Sequence, residues 1–414
     1  MKECKKHEIA SLDLEELKVV TPVGRGAKGV VFLTETGESG EQSCLALKVI
    51  SKALLEKKKK EGCGEYKRLS FEQQVLRRFD HPLLPRLRGV LETQNIVGFA
   101  IDYCHGGTFH SLRSKQSEKT FSHATIRFYA VELLLALEYL HNLGIVYRDL
   151  KPENIMIQQN GHIMLVDFDL STKLNTKSKS TTDESLSHSY YNSSKLKKKR
   201  RRCLFSCFKS GISPSEGDSE LVKEEDVSIC NNTMIPQIQK SNSFVGTEAY
   251  IAPEVVAGKG HDFSVDWWSY GVVLYEMLYG TTPFTGSNRH QTFHSILTKE
   301  PELTGMKTAL RDLIRRLLEK DPGRRIKVHE IKGHDFFKGV KWDMVLEIAR
   351  PPYIPHTRSD EVKDIVGFSQ KDVELFVHQI YFPNSAIDSD HKKEDEDNHM
   401  LSHSQTEKED FATF

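Results

Sequence analysis

The sequence lacks the marks of secreted and membrane proteins. Its seven cysteines are odd in number and include no Cys-x-x-Cys pair, which argues against a disulfide framework. The first residues are charged and no apolar stretch follows them, so no signal peptide is predicted. The most apolar segment, residues 131–140, is too short and too charged to span a bilayer. We therefore expect a protein of the reducing interior of the cell.

The chain has no excess charge of either sign. The 58 lysines and arginines balance 58 aspartates and glutamates, so the net charge of zero predicts no class of partner by itself. A hydrophobic content of 38% over 414 residues is enough for a sizeable core. The informative charges are local, and they lie in short motifs.

The most informative motif is Tyr147–Asn154, which is followed by the Asp-Phe-Asp stretch that begins at Asp167. The carboxylate of Asp149 can orient a hydroxyl group and accept its proton. An amide oxygen of Asn154 and the carboxylate of Asp167 are hard ligands of the kind that magnesium prefers. Their order and spacing, between apolar strand-like segments, favour phosphoryl transfer over a chance match.

A glycine-rich turn is predicted at residues 24–31, between two apolar, β-branched runs. Its backbone can approach phosphate oxygens because no Cβ intervenes at glycine, although such a motif alone often marks only a turn. An alternating strand with Lys48 follows, and then a helical pattern with Glu72. Lys48 is read either as a phosphate contact or as a solvated strand residue.

In this order the motifs resemble those of protein kinases. The resemblance implies an α+β fold of two lobes, a small β-rich N-lobe over about 17–102 and a larger helical C-lobe over about 107–338. Residues 1–16 are expected to be a flexible N-terminus, and residues 339–414 a C-terminal tail. Nucleotide would bind in the cleft between the lobes.

The resemblance also implies ATP and Mg²⁺ as cofactors and assigns roles in the cleft. Lys48 would contact the α- and β-phosphates and pair with Glu72. Asp149 would accept the proton, Lys151 would contact the transferred phosphate, and the magnesium ligands would be the two named above. The expected nucleotide contacts are Gly24, Arg25, Gly26, Gly29, Val31, Ala46, Lys48, Ile101 at the gatekeeper place, Asp102 and Cys104.

An insertion with little fixed structure is predicted at about 174–240, since serine, lysine, asparagine and acidic residues dominate there. It contains a basic run, residues 195–202, followed by apolar and cysteine residues. The run is compatible with a solvated segment, with a nuclear-import or polyanion-binding patch, or with docking on anionic lipid. We accordingly expect the protein in the cytoplasm, the nucleus or both, with peripheral association with the plasma membrane as a further option.

Ser243 follows the insertion and matches the activating phosphorylation site of many kinases. A phosphate there could pair with Arg148, beside the catalytic Asp149. The alternative is that Ser243 is one serine among many and has no regulatory role. Thr247 lies where kinases place a hydroxyl that touches the catalytic aspartate and Lys151.

The tail resembles that of the AGC group of kinases. Residues 350–355 look like the stretch that passes the cleft, and Phe411 and Phe414 resemble the terminal hydrophobic motif. The resemblance implies that these phenylalanines fill a pocket of the small lobe, against the helix that carries Glu72, and recruit an upstream phosphoinositide-dependent kinase. A frayed end with two aromatic residues is the alternative.

Two departures narrow the resemblance to the plant-specific AGC kinases with an Asp-Phe-Asp turn, and among them to the oxidative-signal-inducible kinases. Asp169 replaces the usual glycine, and the insertion precedes the activation site. Serine/threonine phosphorylation in stress, defence or growth signalling is implied. The main alternative is a pseudokinase or scaffold that binds nucleotide, because aspartate restricts backbone rotation where glycine does not. Lys28, in place of an aromatic cap, leaves open how tightly the loop closes.

The resemblance implies protein substrates with basic residues near the acceptor, and a monomer. Glu153 and Glu276 match positions that face basic residues, and Thr108 stands where a third acid often helps. Asp266 is expected to brace the catalytic loop, and a buried Arg325 to pair with Glu254. A nucleic-acid binder acting through the basic run is a third class of function, and salt-sensitive binding would identify it.

Overall fold

The computed structural model describes residues 10–26, 28–36, 43–60, 64–174, 240–348, 351–355, 367–383 and 412–413. Its contacts divide the chain into a larger unit, residues 1–175 with 238–414, and a second unit, residues 176–237. The second unit lies outside the described residues, and with it nearly all of the predicted insertion and the whole basic run. The fold described below is that of the larger unit.

Among the described residues, the sheet of the small lobe is built from β1 (Ala10–Ser11), β2 (Leu17–Arg25), β3 (Val30–Thr36), β4 (Ser43–Ser51), β5 (Leu87–Glu92), β6 (Ile96–Asp102) and β11 (Ala412–Thr413). The order of these seven strands across the sheet is β1-β5-β6-β4-β3-β2-β11. The five central strands pair antiparallel, whereas β1 and β11 join the two edges in parallel. Two helices, α1 (Lys52–Lys60) and α2 (Glu65–Leu76), lie between β4 and β5.

The two faces of this sheet have different roles. Side chains alternate along a strand, so Leu47 and Val49 lie on one face of β4 and Lys48 lies on the other. The apolar face is covered by a helix of the tail, α11 (Gln370–Tyr381), whose Val373 and Val377 are fully buried against it. The opposite face is thereby left to form the cleft.

The large lobe is mainly helical. Its helices are α3 (Phe109–Ser114), α4 (His123–Asn142), α5 (Pro253–Val256), α6 (Ser264–Tyr279), α7 (Arg289–Thr298), α8 (Ala309–Leu317), α9 (Val328–Lys332) and α10 (Val345–Ile348). Short strand pairs, β7 (Ile145–Val146) with β10 (Thr172–Lys173) and β8 (Ile155–Ile157) with β9 (Ile163–Leu165), lie between α4 and α5. In the described part of the chain, no helix is long and apolar enough to cross a membrane.

Helices α4 and α6 form the centre of the large lobe and fix the catalytic loop. The hydroxyl of Ser122 caps α4 by accepting a hydrogen bond from the backbone of Thr125, which satisfies a free N–H group of the first turn. Apolar residues on nearly every side of α6 bury it along its length. The segment between α4 and β8 is therefore held by well-packed elements on both sides.

The structure corrects the expected extent of the flexible N-terminus and shows one contact of the C-terminal tail. Residues 10–16 belong to the fold, because β1 pairs with β5 and Leu14 is 4% exposed. The tail reaches the sheet edge, where Ala412 and Thr413 pair with Gly24 and Arg25 of β2. This edge offers unpaired backbone groups to an added strand, which Ala412 and Thr413 take up. Phe411 and Phe414 themselves are outside the described residues.

Candidate active site

A cavity of about 510 Å³ lies between the two lobes. Eight of the ten expected nucleotide contacts line it, namely Gly26, Gly29, Val31, Ala46, Lys48, Ile101, Asp102 and Cys104. Asp149, Lys151 and Asp167 line its floor. The cavity thus gathers residues from the glycine-rich turn, the sheet, the hinge and the catalytic loop.

Gly24 and Arg25 are the two expected contacts that the cavity lacks. Strand pairing skips Val23, since Pro22 pairs with Phe32 and Gly24 with Val31. This bulge reverses the alternation of β2. Val23 consequently lines the cavity, whereas the guanidinium of Arg25 points away and donates to a backbone oxygen of the tail, 3.2 Å distant.

The apolar walls of the cavity include residues that the sequence analysis did not name. Met156 and Val166 line it together with Val23. Apolar residues in strands carry no chemical signal, so the sequence alone offers little reason to select them. The sites most distinctive to this chain, Lys28 and Asp169, line the same cavity.

Lys48 is the centre of an ion cluster. Its ammonium lies 3.0 and 3.1 Å from the two carboxylate oxygens of Glu72 and 3.1 Å from Asp167. Burial alone would lower the pKa of Lys48, but Asp167, Glu72 and the nearby Asp169 outweigh it and raise that pKa. Lys48 is therefore held as a cation, pointed into the cavity.

Glu72 couples α2 to the turn that follows Asp167. Burial raises the pKa of this carboxyl to about 7, although Lys48 opposes the change. The backbone N–H of Phe168 donates to Glu72 over 3.3 Å, and the Phe168 ring packs against Phe79 with centroids 4.8 Å apart. Helix, lysine and turn are thus fixed as one unit.

Asp266 braces the catalytic loop, as the sequence predicts. This fully buried carboxylate accepts hydrogen bonds from the backbone N–H groups of Tyr147, at 2.9 Å, and Arg148, at 2.7 Å. Arg148 has a φ of 71° and Asp167 a φ of 56°, backbone angles that residues other than glycine rarely adopt. Such backbone strain persists only where the surroundings enforce it, and it is common at active sites.

Asp149 lies at the end of a short polar chain. Lys151 approaches one oxygen at 3.0 Å, and the hydroxyl of Thr247 donates to the other at 2.9 Å. Lys151 also donates to Thr247 over 3.0 Å. Burial raises the pKa of Asp149, against the opposing effects of Lys151 and Thr247. The carboxylate is oriented and is a stronger proton acceptor than an ordinary aspartate.

Asn154 carries the observation most relevant to a metal. It is fully buried, and its amide nitrogen donates to the backbone and side-chain oxygens of Asp149, both at 2.9 Å. Its Oδ1 has no hydrogen-bond partner among the residues that the structure describes. A buried polar atom without a partner is costly, so this oxygen is suited to bind a metal ion.

The donor set fits magnesium. Within the described ranges, no group of three or more His, Cys, Asp or Glu side chains could hold a metal ion by itself. Magnesium is commonly bound through one or two carboxylates together with substrate phosphates. Asn154 Oδ1 and the carboxylate of Asp167 are the hard oxygen ligands that such a site provides.

Asp169 does not need the freedom of the glycine it replaces. The backbone has a positive φ at Asp167 but not at Asp169, so an L side chain fits there without strain. Its carboxylate instead forms an ion pair with Lys28, at 2.5 Å.

Ser243 meets Arg148, as the sequence predicts. The guanidinium lies 2.5 Å from the hydroxyl of Ser243 and 3.1 Å from that of Ser241. Burial lowers the pKa of Arg148 to about 10, and a second cation, Arg68, acts in the same direction. An anion at this exposed serine would lie against the guanidinium of Arg148.

The expected substrate-facing acids divide into free and committed groups. Glu276 is committed, because Arg113 lies 2.7 Å from one oxygen and Tyr250 donates to the other at 2.6 Å. The hydroxyl of Thr108 caps α3 by accepting from the backbone of Ser111. Glu153 contacts His110 at 3.1 Å through one oxygen, while the other, buried, has no partner in the described part of the chain.

The comparisons with known proteins agree with this geometry. The family described as Protein kinase domain matches residues 17–202 and 221–337. The chain is 56% identical over 375 residues to Serine/threonine-protein kinase OXI1 of Arabidopsis thaliana, covering 90% of this chain and 86% of the relative.

Two further relatives come from the same plant. Identity is 39% over 368 residues to Serine/threonine-protein kinase UCN, with 83% of this chain and 85% of the relative covered. It is 40% over 361 residues to Serine/threonine-protein kinase AGC1-5, with 83% and 60% covered. The resemblance inferred from the motifs is confirmed: this chain belongs to the protein kinase family, as a serine/threonine kinase of the plant AGC group with an Asp-Phe-Asp turn.

Proposed function

We propose that this kinase transfers the γ-phosphate of ATP, in complex with Mg²⁺, to serine or threonine in proteins with basic residues near the acceptor. The observation that carries the proposal is the unpartnered Oδ1 of Asn154, within the described chain, beside the oriented carboxylate of Asp149. When bound, ATP and Mg²⁺ supply the phosphoryl group and neutralise the charge that develops on it.

The chain's own residues bind the nucleotide, orient the acceptor hydroxyl and accept its proton. Lys48, fixed between Glu72 and Asp167, presents a cation to the α- and β-phosphates. Asp149 orients the acceptor hydroxyl and takes its proton, while Lys151 places positive charge near the transferred group. These groups are positioned before substrate arrives, so little reorganisation is needed during transfer.

The preference for basic substrates is assigned to Glu153. Its side chain is 33% exposed, and among the described residues its ion-pair partner is His110 rather than a lysine or arginine, so the carboxylate can accept a hydrogen bond from an arginine or lysine of the substrate. Glu276 contributes less, because Arg113 already neutralises it. A preference for acidic peptides on an array would contradict this assignment.

Catalysis is favoured over a scaffold that only binds nucleotide, because every charged participant converges on the cavity and Asp169 is unstrained. The test uses the purified chain, Mg²⁺, γ-labelled ATP and a serine peptide with arginines upstream, with an alanine acceptor as control. Label should enter the serine peptide alone and disappear when Mg²⁺ is chelated. Nucleotide binding without any transfer would establish the scaffold instead.

Activation is proposed to follow phosphorylation of Ser243 by a phosphoinositide-dependent kinase that docks on Phe411 and Phe414. The phosphate would pair with Arg148 and thereby tie the activation segment to the catalytic loop. In a two-kinase assay, Phe411→Ala with Phe414→Ala should lower phosphate incorporation, and Ser243→Ala should abolish it. Equal incorporation at Ser243 in the tail variant would remove the tail from this account.

We further propose a role in stress, defence or growth signalling, by a monomer in the cytoplasm or nucleus with peripheral association with the plasma membrane. The similarity to oxidative-signal-inducible kinases and the basic run at 195–202 support these assignments. Imaging of the tagged chain with and without 195–202 tests the location. Kinase activity of protein recovered from peroxide-treated and untreated cells tests the stimulus, and equal activities would contradict it.

A further inference from the structure

Lys28, at the tip of the glycine-rich turn, contacts two other elements of the small lobe and cleft. Its ammonium lies 2.5 Å from Asp169, after the metal-binding aspartate, and 2.9 Å from Glu65, in the first turn of α2. The three side chains are only 25%, 18% and 8% exposed. One cation thus joins the turn, the helix and the Asp-Phe-Asp segment across the mouth of the cavity.

These contacts are stronger than those of an ordinary surface ion pair. All three groups line the cavity wall, where the surrounding protein reduces the screening of charge by water. Glu65 also approaches Arg68 at 3.7 Å. The turn itself is a tight one, because the N–H of Gly26 donates to the carbonyl of Gly29 over 2.9 Å, and it offers the ammonium a short, defined reach.

We propose that Lys28 is a positioning residue that holds the phosphate-binding turn closed over the cavity through Asp169 and Glu65. The inference rests on the proposed function, since the closed turn is the part of the cavity expected to cover the phosphates. The two departures from the usual kinase pattern then form one feature. Lys28 stands in place of an aromatic residue and Asp169 in place of a glycine, and the two form an ion pair.

The charges predict an unequal effect of removing each partner. Without Lys28, the turn loses its ion pairs with both Asp169 and Glu65, and the turn opens. Without the charge of Asp169, Lys28 keeps Glu65, and part of the hold remains. Removing both leaves Glu65 alone, so the double variant should resemble the single Lys28 variant.

A second contact holds the same turn from outside the cavity. The hydroxyl of Tyr381 lies 2.7 Å from the carbonyl oxygen of Gly26 and 2.8 Å from that of Gly29. The experiment must therefore separate the charge of Lys28 from the hold of the tail, which salt does because ionic strength screens the ion pairs far more than the neutral hydrogen bond.

The test is hydrogen–deuterium exchange of residues 24–31 in the full, nucleotide-free chain. Lys28→Met should speed exchange about threefold to tenfold and Asp169→Asn less, with the double variant no faster than Lys28→Met. Salt at about 1 M should reproduce the increase in the wild type and leave the Lys28 variant unchanged. Lys28→Arg keeps the charge and should restore slow exchange.

Lys52→Met is the matched control, because Lys52 forms an ion pair with Glu92 at 2.8 Å on the same lobe but away from the turn. It should leave exchange at 24–31 unchanged. Exchange that is equal in wild type and Lys28→Met, or single effects that multiply in the double variant, would overturn the inference.

An enzymatic measurement adds a second readout. In Lys28→Met the KM for ATP should rise about threefold to tenfold while kcat stays close to that of the wild type, because the turn binds nucleotide and does not touch the acceptor. A fall of kcat by about threefold to tenfold with an unchanged KM for ATP would contradict the positioning role. If the chain transferred no phosphate at all, the exchange result would still decide whether the hold exists.

Discussion

Two of the buried ion clusters in the described part of the chain differ in how fully they are paired. Glu254 and Arg325, in the large lobe, are about as buried as side chains become, with 2% and 1% exposed. Arg325 donates to both oxygens of Glu254, at 2.7 and 2.9 Å, and to the carbonyls of Ser264 and Glu319 at 2.8 and 2.9 Å. Its charge is paired inside the fold, and each nitrogen of the guanidinium donates a hydrogen bond.

The cluster in the cleft is incomplete. Within the described residues, Asn154 Oδ1 has no partner. Burial raises the pKa of Glu72 to about 7 and raises that of Asp149 as well. Arg148 and Asp167 hold strained backbone angles. A saturated cluster contributes to the fold, whereas unpaired atoms, displaced pKa values and strain together indicate a site built for a ligand.

The largest expected effect is on stability, in the saturated cluster. Arg325→Met should lower the free energy of unfolding by about 3–5 kcal/mol, because Glu254 is left buried and unpaired. Urea denaturation measures it. The neighbouring Arg324→Met is the control, since Arg324 is 76% exposed and its ion pair with Glu319 is long, at 3.9 Å. The effect of this substitution on the free energy of unfolding should be close to zero. Equal effects of the two substitutions would contradict the comparison.

The second effect separates chemistry from stability. Lys48→Met should lower kcat/KM about 100- to 1000-fold, because a fixed cation at the phosphates is lost. It should cost much less stability than Arg325→Met, since Glu72, with a pKa raised to about 7, can take up a proton and lose its charge. Parallel activity assays and urea titrations test this, and a loss of stability as large as that of Arg325→Met would make both clusters structural.

A third, smaller effect concerns substrate choice. Glu153→Gln should reduce the preference for a peptide with arginine over the same peptide with alanine by about tenfold, because a charge-assisted hydrogen bond is lost. The ratio of kcat/KM values for the two peptides measures it in each protein. The alanine peptide is the control, and its kcat/KM should be the same with the wild type and with Glu153→Gln. An unchanged ratio would place the basic preference elsewhere.

The smallest effect concerns the outer contact on the glycine-rich turn. Tyr381→Phe should weaken the hold on the turn by about 1 kcal/mol, the usual contribution of one hydrogen bond, and exchange at residues 24–31 should rise accordingly. Tyr139→Phe removes a hydroxyl that accepts from the backbone of Asp80 at 2.9 Å, far from the turn, and serves as control. Exchange that rises equally in both variants would exclude a specific role for Tyr381.

Much of the cleft could be predicted from the sequence, because its chemistry depends on residue types in a fixed order. Asp149, Asn154 and Asp167 stand out as a carboxylate and two oxygen ligands at short spacing. The pairing of Arg325 with Glu254 and the contact of Arg148 with Ser243 came from the family resemblance, and both are present in the structure.

The remaining contacts could not be predicted because they join distant segments without a local signal. Lys28 meets Asp169 across 141 positions, and Tyr381 meets Gly26 across 355. A bulge in β2 turned Arg25 out of the cavity, and a one-residue shift of that kind depends on the neighbouring strand. Similarly, the sequence cannot show that Arg113 of the same chain already forms an ion pair with Glu276.

Phosphoryl transfer in this cleft depends most on Asp149 acting as the proton acceptor. The direct test compares wild type and Asp149→Asn for transfer of labelled γ-phosphate to the serine peptide, with nucleotide affinity and thermal unfolding measured on the same samples. We expect transfer to fall about 100- to 10,000-fold while affinity and unfolding temperature stay near those of the wild type. Transfer that continues at the wild-type rate in Asp149→Asn would contradict the mechanism.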